Sequence, residues 1–164
     1  MSSILNSLLI PYSPLDSILV PNELVECILP YAIPLSSEYQ HPALVGSLIY
    51  RDTKIPIVNI ASLNKGYQNP LPKNSLGKYR IVMLSSIAEE SFCDSYAVIT
   101  SSRPSLLKVT ADMLTEVHSS PSPYFYNKVE IDLESRKQKV YIPHLERIEE
   151  ELFSIKIDNK IEDV

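Results

Sequence analysis

Apolar runs of strand length, each cut short by a proline, constrain this fold more than any other feature. "SLLIPYS", "SILVP" and "ELVECILPY" follow one another within the first 31 residues and end at or near Pro11, Pro21 and Pro30. Proline breaks a helix interior, and within sheets it is confined to ends, edges and bulges. The three runs therefore read as a meander of strands. Most later segments are also short, β-branched and bounded by turn residues, the pattern of an all-β barrel or sandwich.

Glycine is scarce. The 164 residues hold three glycines against 13 prolines, where average usage is about 7% glycine. Phosphate-cradling loops and strained nucleophile turns depend on glycine, so this poverty counts against much of enzymology. The turns fall to Pro, Asn, Asp and Ser. A formal net charge of −5 argues against a nucleic-acid partner, which needs clustered positive charge. From His144 to Val164 there are seven acids and three bases, so the acidity belongs to a solubilising tail.

The length is that of a single domain, 1–164, able to bury a continuous core. Cys27 and Cys93 form no C-x-x-C pair, and Cys27 lies in an apolar run where a reduced thiol is expected. The N-terminal stretch lacks the basic region of a secretory signal, and no apolar run reaches the roughly 18 residues of a spanning helix. A cytoplasmic protein without direct membrane insertion is the expectation.

Further along, "LVGSLIYRDTKIPIVNI" (44–60) reads as two strands joined by a polar turn at "RDTK". Residues 64–78 read as an exposed loop, flanked by two β-halves. "YRIVMLSS" and "SYAVITSS" then read as two strands of a second sheet, separated by a turn at Glu89 and Glu90. "PSLLKVTADMLTEV" gives a strand to Val109 and a short turn capped by Thr110, and "HSSPSP" another loop. In "KVEIDLESRKQKVYI", Val129, Ile131 and Leu133 alternate with acids, and Val140 and Ile142 flank Tyr141. Period two on both arms predicts a half-buried hairpin. Leu145, Ile148, Leu152 and Ile155 then follow helical spacing, with Pro143 suited to the first turn.

No sequence pattern proposes catalysis. His41, His118 and His144 lack metal-ligand spacing, and loop or cap roles suit them better. H-E-x-x-H, G-x-S-x-G and the P-loop are missing. Tyr124, Phe125 and Tyr126 lack the basic and glycine residues of an RNA-stacking strand. Nothing demands a cofactor. A small-molecule-binding barrel and an unpatterned hydrolase, with a serine beside His41 or His144, remain as alternatives to a partner-binding module.

The residues of "ELVECILPY … LVGSLIYRDTKIPIVNIASL" resemble the CheW family, adaptors of bacterial chemosensory arrays. Leu24 and Glu26 fit its apolar-x-glutamate strand, Gly46 and Arg51 its glycine-to-arginine spacing, and Ile55 to Ile60 its "IPIVNI" strand. "YRIVML", "LKVTADML" and "KVYIPHLERIEEEL" are similar to later elements. The opening "LLIPYSPLDSILVPNELVECILPY" looks most like the CheW-like proteins of chemosensory pilus systems, which govern twitching motility. The chain departs from the pattern in having no tryptophan near Ala43, Asp52 where glycine normally follows the arginine, and "TSSRPSLL" for a "(V/I)-D-x-V" run.

The resemblance implies two small five-stranded SH3-like barrels about a shared core and a short C-terminal helix. It also implies no catalytic activity. Such domains bridge the regulatory domain of a CheA-type histidine kinase to the cytoplasmic hairpin tip of methyl-accepting chemoreceptors. The partner-contact positions it implies are Leu24, Glu26, Gly46, Arg51 and Asp52. Read without the resemblance, Arg51 is a solvated turn residue and Gly46 a point of close backbone approach. Glu26 is either a receptor contact or half of an ion pair with Arg51 or Lys54.

Overall fold

The computed structural model describes residues 5–13, 16–35, 43–63, 79–88, 94–119, 124–133 and 136–151. They form eleven strands: β1 (Leu5–Pro11), β2 (Ser17–Pro21), β3 (Val25–Pro30), β4 (Leu44–Tyr50), β5 (Thr53–Val58), β6 (Arg80–Ser85), β7 (Ser95–Thr100), β8 (Ser105–Val109), β9 (Leu114–Ser119), β10 (Phe125–Leu133) and β11 (Arg136–Pro143). A helix, α1, spans 145–151. The all-β expectation with a short C-terminal helix holds.

The strands make two sheets, ordered β3-β6-β7-β5-β4 and β8-β1-β2-β11-β10-β9. Both curl. Leu35, five residues beyond β3, bridges Ser47 on β4 at the far edge of the first sheet, with N–H···O bonds of 2.8 and 3.1 Å. Five strands thus close into a barrel through the chain that leaves its own first strand. In the second sheet the end strands β8 and β9 are successive in sequence, joined by a 3-10 turn at Ala111–Met113.

The packing has three layers of core. Tyr31, Ile55, Ile57, Ile81, Met83, Ala97 and Ile99 fill the first barrel. Leu9, Leu19, Val109, Val129, Ile131 and Val140 fill the curl of the second sheet. Between them lies a shared core that takes Val58, Val82 and Val98 from one side and Leu8, Ile10 and Ile18 from the other. Leu145 and Ile148 of α1 join this middle layer. Each such side chain, once buried, is worth about 1.5–3 kcal/mol, so most of the cohesion between the two sheets comes from it.

Four local expectations are corrected. The N-terminal runs are strands, but β3 does not continue the meander. The edge of β2 is taken by β11, in parallel through Ile18↔Tyr141, so β3 crosses to β6 in the other sheet. The sheets also do not divide at 64–78, which lies outside the described residues; β3 to β5 and β6 to β7 share one sheet across it. Leu114–Ser119 is a strand paired with β10, so the half-buried hairpin belongs to a three-stranded meander. Pro143 closes β11 rather than opening the helix.

Thr110 does precede a turn, but its hydroxyl makes no capping bond to the backbone. Instead it bonds the Asp112 carboxyl and holds it below its ordinary range. His144 is a cap: its Nδ1 accepts from the Arg147 N–H at 3.3 Å. Cys27 is a free thiol, with Sγ 3.6 Å from the Met83 sulfur. Cys93, His41, Glu89, Glu90, Leu152 and Ile155 lie outside the described residues.

Candidate partner-binding surface

The direction of each strand gathers the candidate residues at one end of the first barrel. β3 runs antiparallel to β6, β6 antiparallel to β7, β7 parallel to β5, and β5 antiparallel to β4. The start of β3, the end of β6, the start of β7 and the tip between β4 and β5 therefore share an end. Leu24 and Glu26 arrive there from β3 and the 3-10 turn before it, and Arg51 and Asp52 from the tip. No sequence spacing links positions 26 and 51; the sheet does.

The tip is a two-residue turn between the paired residues Tyr50 and Thr53. Arg51 has φ of 50° and Asp52 φ of 64°, the left-handed pair that a tight hairpin matching strand twist requires. Asn, Asp and Gly enter this region most readily, and Asp52 fills a place where glycine would be expected. Arginine has no such excuse. Its guanidinium carbon rests 5.2 Å from the centre of the Tyr50 ring, a cation–π contact of about 0.5–1 kcal/mol at an exposed site. Arg51 and Asp52 are both exposed. Arg51 is thus an exposed residue in a strained backbone conformation, with its guanidinium against the ring of its neighbour.

Glu26 is exposed on β3 and accepts a hydrogen bond from the Ser85 hydroxyl at 3.2 Å. That contact, across to β6, takes the place of the internal pairing with Arg51 or Lys54. Leu24 is half-buried and packs against the shared core. Gly46 has a different standing from its four companions, because it is buried. With φ at +154°, a Cβ there would collide with the Leu35 carbonyl oxygen and come within 2.7 Å of the Pro34 Cβ. It lets the 34–35 segment close the barrel, so any effect it has on the surface passes through the backbone.

Exposed apolar residues lie on both sheets. Ile28 is 45% exposed and Leu106 63%. Ile28 pairs with Val82 and Leu106 with Leu8, and both of those partners belong to the shared core. Each exposed residue therefore extends, at a sheet edge, a face that sandwiches that core. Ile33, Leu35 and Ile49 add exposed apolar surface on the outer wall of the first barrel.

One residue that sequence reasoning passed over lies at the same end. Glu149, on α1, is fully buried. Its Oε1 accepts the backbone N–H groups of Ile87 at 2.7 Å and Ala88 at 2.9 Å, and its Oε2 accepts the Tyr96 hydroxyl at 3.0 Å. Burial raises its carboxyl above the ordinary range, and the three hydrogen bonds pull the other way. The signal was available: position 149 stands four residues after Leu145, on the side of the helix that the apolar spacing already marks as buried.

Among the described residues no group of three His, Cys, Asp or Glu side chains could hold a metal ion, and no helix is long and apolar enough to cross a membrane.

Scanned against models of known protein families, the sequence matches none. No curated protein matches it by sequence. Thirteen chains of solved structures do match it in fold. One is the crystal structure of the scaffolding protein TtCheW from Thermoanaerobacter tengcongensis, with a TM-score of 0.64 and 8% sequence identity. The match covers 87% of this chain and 90% of that one. At that identity the likeness concerns the fold, which is the CheW-like arrangement of two β units about a common core.

Proposed function

We propose that this chain is a non-catalytic adaptor of bacterial chemosensory signalling, working in the cytoplasm as one unit. It couples methyl-accepting chemoreceptors to the regulatory domain of a CheA-type histidine kinase. The observation that carries this reading is the two-part fold, shared over nearly its whole length with a scaffolding protein. The 44–60 stretch supports it from an independent direction, because its arginine stands exposed at a strained tip. The opening residues favour the chemosensory pilus branch, with twitching motility as the output.

The physics suits a coupler. Exposed apolar side chains at the margin of the shared core offer affinity to an amphipathic helix. Charged groups at the barrel end, Arg51 and Glu26, fix orientation and partner choice. A planar guanidinium takes a carboxylate or paired carbonyls bidentately. An adaptor then needs only to hold two proteins in one geometry, so that a receptor shift reaches the kinase as a population change.

Co-purification of the full chain with the CheA-type kinase and receptors of its own organism tests the proposal, with Arg51→His as the informative variant. The variant melts with the wild-type transition, because Arg51 is exposed and its ring contact is small. It binds the kinase or the receptor about tenfold more weakly, as expected for loss of an orienting charge. Equal binding by both proteins would remove Arg51 from the surface, and wild-type protein that captures neither partner would end the adaptor reading.

A further inference from the structure

Among the described residues Glu149 is the one fully buried acid, and its bonds run between parts of the molecule that are far apart in sequence. The helix that carries it is fastened at its start to the second sheet, where the His144 N–H donates to the Tyr124 carbonyl at 2.8 Å. Its middle lies in the shared core through Leu145 and Ile148. Glu149 then reaches across to the first barrel and takes hold of the chain just beyond β6. Ser85, two residues before Ile87, donates its hydroxyl to Glu26. A continuous path thus runs from α1 through segment 85–88 to a candidate contact residue.

We propose that Glu149 is a positioning residue for the partner-binding end of the first barrel. By collecting the N–H groups of Ile87 and Ala88 it fixes the segment that aims Ser85 at Glu26. The latch works by hydrogen-bond geometry rather than by charge. Two backbone N–H groups meet one oxygen, and a hydroxyl that can donate or accept meets the other atom. Glutamine satisfies the same three groups, with its carbonyl toward the amides and its NH2 donating to Tyr96. Leucine is near in volume but leaves both amides without a side-chain acceptor. Packing alone predicts that leucine substitutes at least as well as glutamine; a latch predicts the opposite.

The role assigned to Glu149 rests on the adaptor reading, but its first test needs no partner. Amide exchange is followed in full-length wild type, Glu149→Gln and Glu149→Leu at Ile87, Ala88 and, as a reference in the central strand, Val98. In the leucine variant Ile87 and Ala88 exchange at least about tenfold faster, the scale of one lost buried hydrogen bond. Val98 stays within about threefold of wild type in both variants. The glutamine variant stays within that margin at all three sites. Unchanged protection of Ile87 and Ala88 in the leucine variant overturns the latch. So does equal acceleration at Val98, which marks a general loss of stability.

The second readout is binding of the regulatory domain of a CheA-type kinase. Glu149→Leu weakens it about tenfold and Glu149→Gln restores it. With Glu26→Ala already present, Glu149→Leu adds less than it does alone, because the two act along one path. Local loosening without any change in binding refutes the positioning role and leaves the adaptor reading intact. Failure of the wild type to bind refutes the adaptor reading, while the exchange data still decide the latch.

Discussion

Strands β7 and β10 are built from similar apolar residues yet read differently, and the difference tells how many cores each one serves. β7 is buried without interruption from Tyr96 to Thr100. Ala97 and Ile99 face the interior of the first barrel, while Tyr96 and Val98 face the shared core. β10 alternates: Val129 and Ile131 are buried in the second core, whereas Asp132 is exposed and Glu130 half-buried. Glu130 pairs with Lys139 and Asp132 with Lys137 across to β11, and the Lys137 Nζ lies 3.9 Å from Glu130 Oε1. A continuous run marks a strand between two hydrophobic layers; alternation marks one with water on its other face.

The sharpest way to break this comparison is to place a carboxylate in β7 and to remove one from β10. Val98→Asp buries an unpaired charge between two sheets, a cost beyond about 4 kcal/mol. No cooperative thermal transition is expected from it, and calorimetry checks this directly. The reciprocal change, Asp132→Val, removes only an exposed cross-strand pairing. It shifts stability by less than about 1 kcal/mol, readable as a small change in the urea midpoint. A gain in stability well beyond about 1 kcal/mol from Asp132→Val would mean that both faces of β10 are buried after all.

Next in size is Gly46→Ala. A methyl group there meets the Leu35 carbonyl and the Pro34 side chain, at a φ that L-residues avoid. Relieving that clash means lifting the 34–35 segment away from β4, at a cost of about 2–4 kcal/mol. The consequence that separates this from an ordinary core defect is local. Amides at Leu35 and Ser47, which bond each other, lose protection before those of β6 and β7.

Much of the fold was legible because it is local. The tip at Arg51 and Asp52, the paired arms 128–142 and the helical spacing after Pro143 are each decided by residues within one or two turns of chain. Non-local choices were not. Nothing in "ELVEC" records that the free edge of β2 is already taken by β11, so the departure of β3 to the other sheet is invisible from its own residues. β9, "LTEVHS", escaped notice because its apolar residues do not alternate cleanly, and the structure shows a register shift between Lys128 and Val129 in its pairing with β10. At the candidate surface, the pattern named Glu26 and Arg51, but only strand direction puts them at one end. Glu149 was hidden among "ERIEEEL", where three exposed neighbours, Glu146, Arg147 and Glu150, make a solvated run look uniform.

The third prediction concerns that acid and has a definite sign with pH. Burial raises the Glu149 carboxyl above its unfolded value of 4.5. The folded state therefore holds the proton more tightly than the unfolded chain. Its contribution to stability is fully present below pH 4.5 and is lost as pH rises through the folded value. Glu149→Gln removes this titration and keeps the hydrogen bonds. The stability of the variant relative to wild type accordingly increases with pH above 4.5, as chemical denaturation at a series of pH values measures. The opposite slope would mean that the three donors outweigh burial and that the carboxylate is held charged.

The smallest effect expected distinguishes the two kinds of left-handed residue in the first barrel. At Gly46 both the torsion and the space forbid a side chain; at Asp52 only the torsion is unfavourable, since the tip is exposed and its φ is 64°. Asp52→Gly relieves that strain but gives the unfolded chain more freedom, and the two nearly offset. A gain of no more than about 0.5–1 kcal/mol follows, with the register Tyr50↔Thr53 unchanged and Arg51 still presented. Partner binding that fell sharply in this variant, at unchanged stability, would assign Asp52 a contact of its own and make the tip a two-charge recognition element rather than an arginine on a serviceable turn.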